Sequence, residues 1–243
     1  MNDHNELSEG IDHGKTGRPP MQPRAKITRE AILEASATLF SKTGYAGTTI
    51  DDIVTLAPVT KGAMYFHFSK KESIAREMLG RWSDAVTATV GKAIATGQPA
   101  DRQVLMIYRE LARRTQNEAI IRAGLILSVD KSLGGARATY EAWTAAIEPI
   151  VVDASRSGAL DSAVSRFADT LCAGFVGAVQ VAASLDENHT ISRRIDDLLL
   201  MWCGTDPFAW SKEHLCEQPH RIGERPGKCC HHDNSPDRSR PRQ

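Results

Sequence analysis

Residues 44–74 read GYAGTTIDDIVTLAPVTKGAMYFHFSKKESI. Ile50, Ile53, Val54 and Leu56 repeat at helical spacing, with Thr48 or Thr49 where an N-cap belongs. Asp51 and Asp52 place negative charge in the first turn, where it suits the helix dipole. Ala57-Pro58-Val59 breaks the pattern, and a third helix opens at Thr60 with TKGAMYFHF. Upstream, in TREAILEASATLFSKTGY, Ile32, Leu33, Ala35, Ala37, Leu39 and Phe40 recur at helical spacing, with Thr28 as cap and Gly44 as stop. Two short helices joined by about three residues, behind a longer packing helix, outline a helix-turn-helix. Its reading element falls between Thr49 and Phe68.

A recognition helix must bring its backbone close to a groove. Gly62 and Ala63 are poor choices for an ordinary surface helix and suit a face that approaches bases without bulk. Lys61 can reach a guanine edge or a phosphate, and Thr60 can cap the helix and donate to phosphate. Tyr65, His67, Lys70 and Lys71 add donors around its far end. Tyr65, Phe66 and Phe68 cannot all face solvent, so some pack on the first helix while Tyr65 keeps its hydroxyl outside. The alternative is that TKGAMYFHF merely closes a core.

The net charge of the 243-residue chain is zero, but its distribution is uneven. Residues 1–14 hold four acids and no Lys or Arg, whereas residues 15–76 hold ten basic side chains against five acidic ones. Positive charge gathered in one segment is what a phosphate-facing surface requires. Residues 1–25, broken by Gly14, Gly17, Pro19, Pro20 and Pro23, read as a disordered segment, either a basic arm for a minor groove or a solvated leader. No apolar run approaches the roughly 18–20 residues of a membrane span, and the polar N-terminus has no secretory pattern. Five cysteines, Cys172, Cys203, Cys216, Cys229 and Cys230, suit reduced thiols in a cytoplasm. Cys216, His220, Cys229, Cys230, His231 and His232 match no closed zinc module, and no phosphate loop, GxSxG elbow or HExxH occurs. The expectation is no enzyme, no metal and no cofactor.

From Ser69 the pattern is helical almost throughout, so the fold class is all-α. Helices are expected over 70–95, 101–116, 118–129, 136–156, 161–185 and 190–203, with Asp101, Asp161 and Thr190 as N-caps. The organisation is a disordered arm (1–25), a helix-turn-helix domain (26–76), a ligand-binding and dimerisation domain (77–211) and a disordered tail (212–243). The helix at 161–185 is rich in Ala and Gly, which permits a close crossing, either at a two-fold interface or within the chain. Trp143, set among Ala142, Ala145 and Ala146, either fills a core gap or walls a ligand cavity. Gln180, polar in a nearly apolar helix, needs a partner if buried: a ligand oxygen or a dimer backbone group. Trp82, Met106, Leu125 and Phe175 are further lining candidates, with plain core as the alternative.

The run 44–74 resembles the DNA-binding domain of the TetR family. That family shows a Gly-Tyr/Phe pair, a Thr-rich second helix, a Thr/Ser-Lys-Gly-x-x-Tyr-x-x-Phe helix and a Lys-Glu/Asp pair. The resemblance spans residues 28–79. It implies that Thr49 binds phosphate, that Thr60, Lys61 and Gly62 meet bases or phosphate, and that Tyr65, His67 and Lys71 clamp the DNA backbone. The family usually has Gly where this chain has Pro58, so the expectation is a tightened turn or a slightly re-aimed recognition helix. Within the family, TKGAMYFHF followed by SKKESIA, RAGLIL at 122–127 and YEAW at 140–143 resemble the γ-butyrolactone receptors. That implies a homodimeric repressor on a palindromic double-stranded operator, released by a small effector of γ-butyrolactone, furan or butenolide type, with Trp143 at the ligand. Such proteins usually control secondary metabolism. Control of a drug-efflux or catabolic gene is the alternative within the family. An all-α enzyme or scaffold is the alternative outside it.

Overall fold

A computed structural model describes residues 23–154 and 161–204. The expected arm lies outside the described residues apart from 23–25, and so do the tail and its Cys/His cluster. Among the described residues the regular elements are helices: α1 (Pro23–Gly47), α2 (Ile50–Leu56), α3 (Lys61–His67), α4 (Lys71–Ala95), α5 (Ala100–Asn117), α6 (Ala119–Leu127), α7 (Ala136–Ala154), α8 (Asp161–Ser184) and α9 (Ile191–Gly204). A single 3-10 turn, Asn188–Thr190, leads into α9.

Local chemistry sets most ends. Helix α1 breaks at Gly44, whose φ of 75° is open to glycine at little cost. Its start is earlier than the Thr28 cap expected. The helix opens at Pro23, a residue suited to a first turn, and the Thr28 hydroxyl donates within the helix to the Arg24 carbonyl at 3.0 Å. Likewise α5 opens behind Pro99, which places Asp101 inside the first turn instead of at the cap. Thr190 directly precedes α9, where its hydroxyl donates to the Glu187 carbonyl and accepts from Arg194 Nε, each at 2.8 Å. Arg122 closes the end of α5 by donating to the carbonyls of Thr115 and Gln116 at 2.7 and 3.0 Å.

One continuous core joins the first three helices to the next layer. Ile32, Leu33, Ala37 and Phe40 of α1 meet Ile53, Met64 and Phe68, and the same cluster runs on through Ile74 and Met78 of α4 to Ile120, Ala123 and Leu127 of α6. Burying each large side chain contributes about 1.5–3 kcal/mol, so this core is what holds α2 and α3 in place. Helix α4 runs unbroken through the expected domain boundary at 76/77. Its Glu77 and Arg81 grip α1: Arg29 pairs with Glu77, and Arg81 donates to Glu30 at 2.9 Å and to Glu77 at 3.0 Å. Helix α7 packs on α5 and α8, and α9 on α5 and α8.

The sequence reading found no apolar run of membrane-spanning length, yet Arg166–Ser184 of α8 reaches a mean hydropathy of 1.3 over 19 residues. Seven Ala and Gly residues and six of Phe, Leu or Val share that stretch, which also holds Arg166 and Asp169. One face of it, Ala168, Leu171, Cys172, Phe175 and Val179, is buried in the core.

Helix α6 approaches α4 closely at one point. A Cβ on Gly124 would fall 2.3 Å from the Met78 carbonyl oxygen and 2.9 Å from Trp82 Cβ. Gly124→Ala is therefore expected to destabilise the fold by about 1–3 kcal/mol, since backbone cannot yield as a side-chain tip does. Urea unfolding measures this, and an unchanged midpoint would show that α6 can stand off from α4.

Candidate nucleic-acid interface

The two short helices begin with complementary caps. Thr49 and Asp52 form a capping box: the Thr49 hydroxyl accepts from the Asp52 amide at 3.1 Å, and the Thr49 amide donates to Asp52 Oδ2 at 2.9 Å. The Thr49 hydroxyl also donates to Oδ2 at 2.6 Å, and these bonds hold the Asp52 carboxyl below its ordinary range. Thr48, the other candidate cap, is buried and donates to the Gly44 carbonyl at 2.9 Å. At α3 the Thr60 hydroxyl accepts from the Ala63 amide at 3.1 Å.

Helix α3 presents Met64 inward, with Phe68 behind it under the Arg29 guanidinium at 4.9 Å. Lys61, Gly62, Tyr65 and Phe66 are exposed on the opposite side. A Cβ on Gly62 would meet nothing nearer than Thr60 Oγ1 at 3.9 Å. Packing within the chain does not require glycine there, although glycine in a helix costs roughly 1 kcal/mol relative to Ala. Lys61 Nζ pairs with Asp51 Oδ1 at 2.8 Å, both well exposed, and this hydrogen bond raises the lysine pKa. His67 is half-buried. Burial first, then the Arg29 charge, holds its imidazole below the ordinary histidine value, so near neutral pH it is an uncharged hydrogen-bonding group.

Thr49, Thr60, Lys61, Gly62 and Tyr65 thus stand on the exposed surface of α2 and α3. Lys71 faces inward instead. Its ammonium donates to the carbonyls of Tyr45 and Thr48 at 2.6 and 2.7 Å and lies 4.4 Å from the Tyr45 ring centre. It holds the corner between α1 and α2, a role that spacing alone does not reveal. Asp51 and Phe66 belong to the same surface and were not singled out from sequence.

The residues proposed to line a ligand separate into two groups. Trp82, Trp143, Phe175 and Leu125 are buried. Trp143 stands edge-on to Trp82 at 5.2 Å and to Phe175 at 5.6 Å between ring centres. Tyr140 and Tyr108 complete this cluster, the first 5.9 Å from Trp143 and the second 5.7 Å from Phe175. Tyr108 Oη lies 3.3 Å from Cys172 Sγ, and Tyr140 donates to Asp169 Oδ1 at 2.9 Å. Burial pushes the Cys172 thiol up to about 12, so it stays protonated. The indole N–H groups of Trp82 and Trp143 are buried without a hydrogen-bond partner among the described residues. Met106 and Gln180, by contrast, are exposed and stand apart from the cluster.

The fold and the α2–α3 surface define an all-helical protein with an N-terminal helix-turn-helix. Residues 32–78 match the model for bacterial regulatory proteins of the tetR family. The chain is 35% identical over 109 residues to the A-factor receptor protein of Streptomyces griseus, covering 45% of this chain and 37% of that protein. It is 46% identical over 55 residues to the transcriptional regulator TtgR of Pseudomonas putida, covering 23% and 26% of the two chains. The matched segments therefore span well under half the length of these curated relatives. Among solved structures, CprB of Streptomyces coelicolor A3(2) aligns with a TM-score of 0.64 at 28% identity over 74% of this chain and 88% of its own. A γ-butyrolactone receptor described as ArpA-like aligns with a TM-score of 0.61 at 28% identity over 74% and 86%. Residues 32–78 thus carry a tetR-type DNA-binding domain, and the chain as a whole is similar in fold to CprB and the ArpA-like receptor.

Pro58 lies in the turn between α2 and α3, and Ile53, Ala57 and Met64 on either side of it are buried and hold the two helices.

Proposed function

We propose that this chain is a ligand-released transcriptional repressor. It binds a palindromic operator as a homodimer and dissociates on binding a small diffusible signal of γ-butyrolactone, furan or butenolide type. Antibiotic or secondary-metabolite biosynthesis is the process under its control. In this reading residues 26–76 are the DNA-binding domain, residues 77–211 sense the ligand and dimerise, and the protein works in the cytoplasm without enzymatic activity or cofactor.

The observation that carries the DNA-binding half is the exposed stripe Lys61, Gly62 and Tyr65 on α3, with a glycine that no internal contact demands. The similar CprB has been solved in complex with its biological operator sequence. For the sensing half, the support is the buried aromatic cluster with its two unpartnered indole donors. The A-factor receptor match is also longer than a helix-turn-helix domain. Val181 of α8, Leu185 just past its end and Leu200 of α9 are exposed apolar side chains, which suits a dimer face on those helices. Gln180, exposed beside Val181, fits that face better than a ligand cavity.

Lys61→Ala and Tyr65→Phe should each weaken operator binding by about 1–3 kcal/mol while circular dichroism stays unchanged. Gel-shift titration with the upstream region of the chain's own gene measures this. Wild-type affinity in both variants would move the reading surface elsewhere.

Trp143→Phe keeps a ring in the cluster but removes one buried donor. It should bind operator as wild type does and need more γ-butyrolactone for release, by roughly the 0.5–1.5 kcal/mol of a single hydrogen bond. An unshifted release curve would assign Trp143 to the core alone.

A further inference from the structure

Phe66 is 80% exposed, the most exposed of the large apolar side chains described. It lies on the same side of α3 as Lys61, Gly62 and Tyr65 and opposite buried Met64. Helical spacing places Gly62 and Tyr65 along the middle of this face and Lys61 and Phe66 at its two edges. The phenyl is not loosely placed. His67 stands edge-on to it at 5.1 Å with an interplanar angle of 82°, and His67 is itself half-buried.

A phenyl ring carries no hydrogen-bond donor or acceptor. Pressed on a phosphate or on a guanine, adenine or cytosine edge, it would strip water from polar atoms and return nothing. The major-groove floor offers one apolar group, the C5-methyl of thymine. Gly62, one turn before Phe66 and lacking a side chain, lets the helix come close enough for that contact. Resting on the proposed DNA-binding reading, we infer that Phe66 is a specificity-determining residue that reads a thymine methyl at a fixed position in each half of the operator.

Replacing thymine by uracil deletes that methyl and leaves base pairing intact. The full chain is used to select duplexes from a random-sequence pool, and each thymine of the selected duplex is then replaced singly by uracil. For wild type, one position per half-site should lose about fourfold in affinity, the equivalent of one buried methyl group. Phe66→Ala should fold normally, bind the selected duplex more weakly, and show no loss at that position. Tyr65→Phe, which leaves the phenyl of Phe66 in place, should keep the wild-type uracil profile.

A wild-type profile flat at every thymine overturns the inference while the DNA-binding reading stands. So does a Phe66→Ala profile identical to wild type, even with weaker binding, since the ring would then rest on sugar. If no duplex is enriched from the pool, the DNA-binding reading fails and this inference fails with it.

Discussion

Helix α4 is gripped from both sides, and everything else hangs on that. On one side Gly124 lets the α6 backbone settle against Met78 and Trp82 at a distance no other residue type would allow. On the other, Glu77 and Arg81 hold α1 through Arg29 and Glu30. Arg81 and Trp82 are neighbours in sequence, so the anchor of the helix-turn-helix and the edge of the aromatic cluster sit on the same turn. A displacement of Trp82 is a displacement of the turn that carries Arg81. Packed interfaces of this density shift between discrete arrangements rather than deforming smoothly, which is the kind of element a ligand can bias.

The charges on the α2–α3 surface are already partnered before any phosphate arrives. Asp51 takes Lys61, Thr49 takes Asp52, and two carbonyls take Lys71. An exposed pair such as Lys61–Asp51 is worth at most about 1 kcal/mol, so exchanging it for a phosphate costs little. The inward bonds of Lys71 are a different matter, because releasing the ammonium would leave two carbonyls at the α1–α2 corner unpaired. In the proposed DNA-binding reading, contact by this surface would be mostly exchange at its rim, on a frame whose interior does not need to change.

Much of this was legible in the sequence where one local rule decides the outcome. Thr49 with Asp52, Thr60 before Lys61 and Gly44 at a positive φ are all short-range chemistry, and each stands where the pattern placed it. The TetR resemblance rests on the same stretch. What was not legible depends on which way a side chain turns once packed. In a seven-residue helix the spacing cannot say whether Phe66 or Phe68 goes inward; the core below Arg29 takes Phe68. Tyr108 and Tyr140 joined the aromatic cluster through contacts across three helices, which no window along the chain can see. Met106 and Gln180 sit in apolar surroundings in sequence yet face outward in space.

The aromatic cluster is costly in one respect. Leaving a buried donor unpaired costs about 1–3 kcal/mol, and Trp82 and Trp143 both do so within one cluster. Phenylalanine at either position would fill similar space without that penalty, so packing alone does not account for two indoles. A ligand that brings acceptor oxygens would recover the cost on entry and gain the difference as binding free energy. Because Trp82 belongs to α4, that gain would be realised on the helix that also anchors α1. Only an arrangement of α4 that admits the ligand can collect it, and differential affinity of this sort is what shifts a two-state equilibrium.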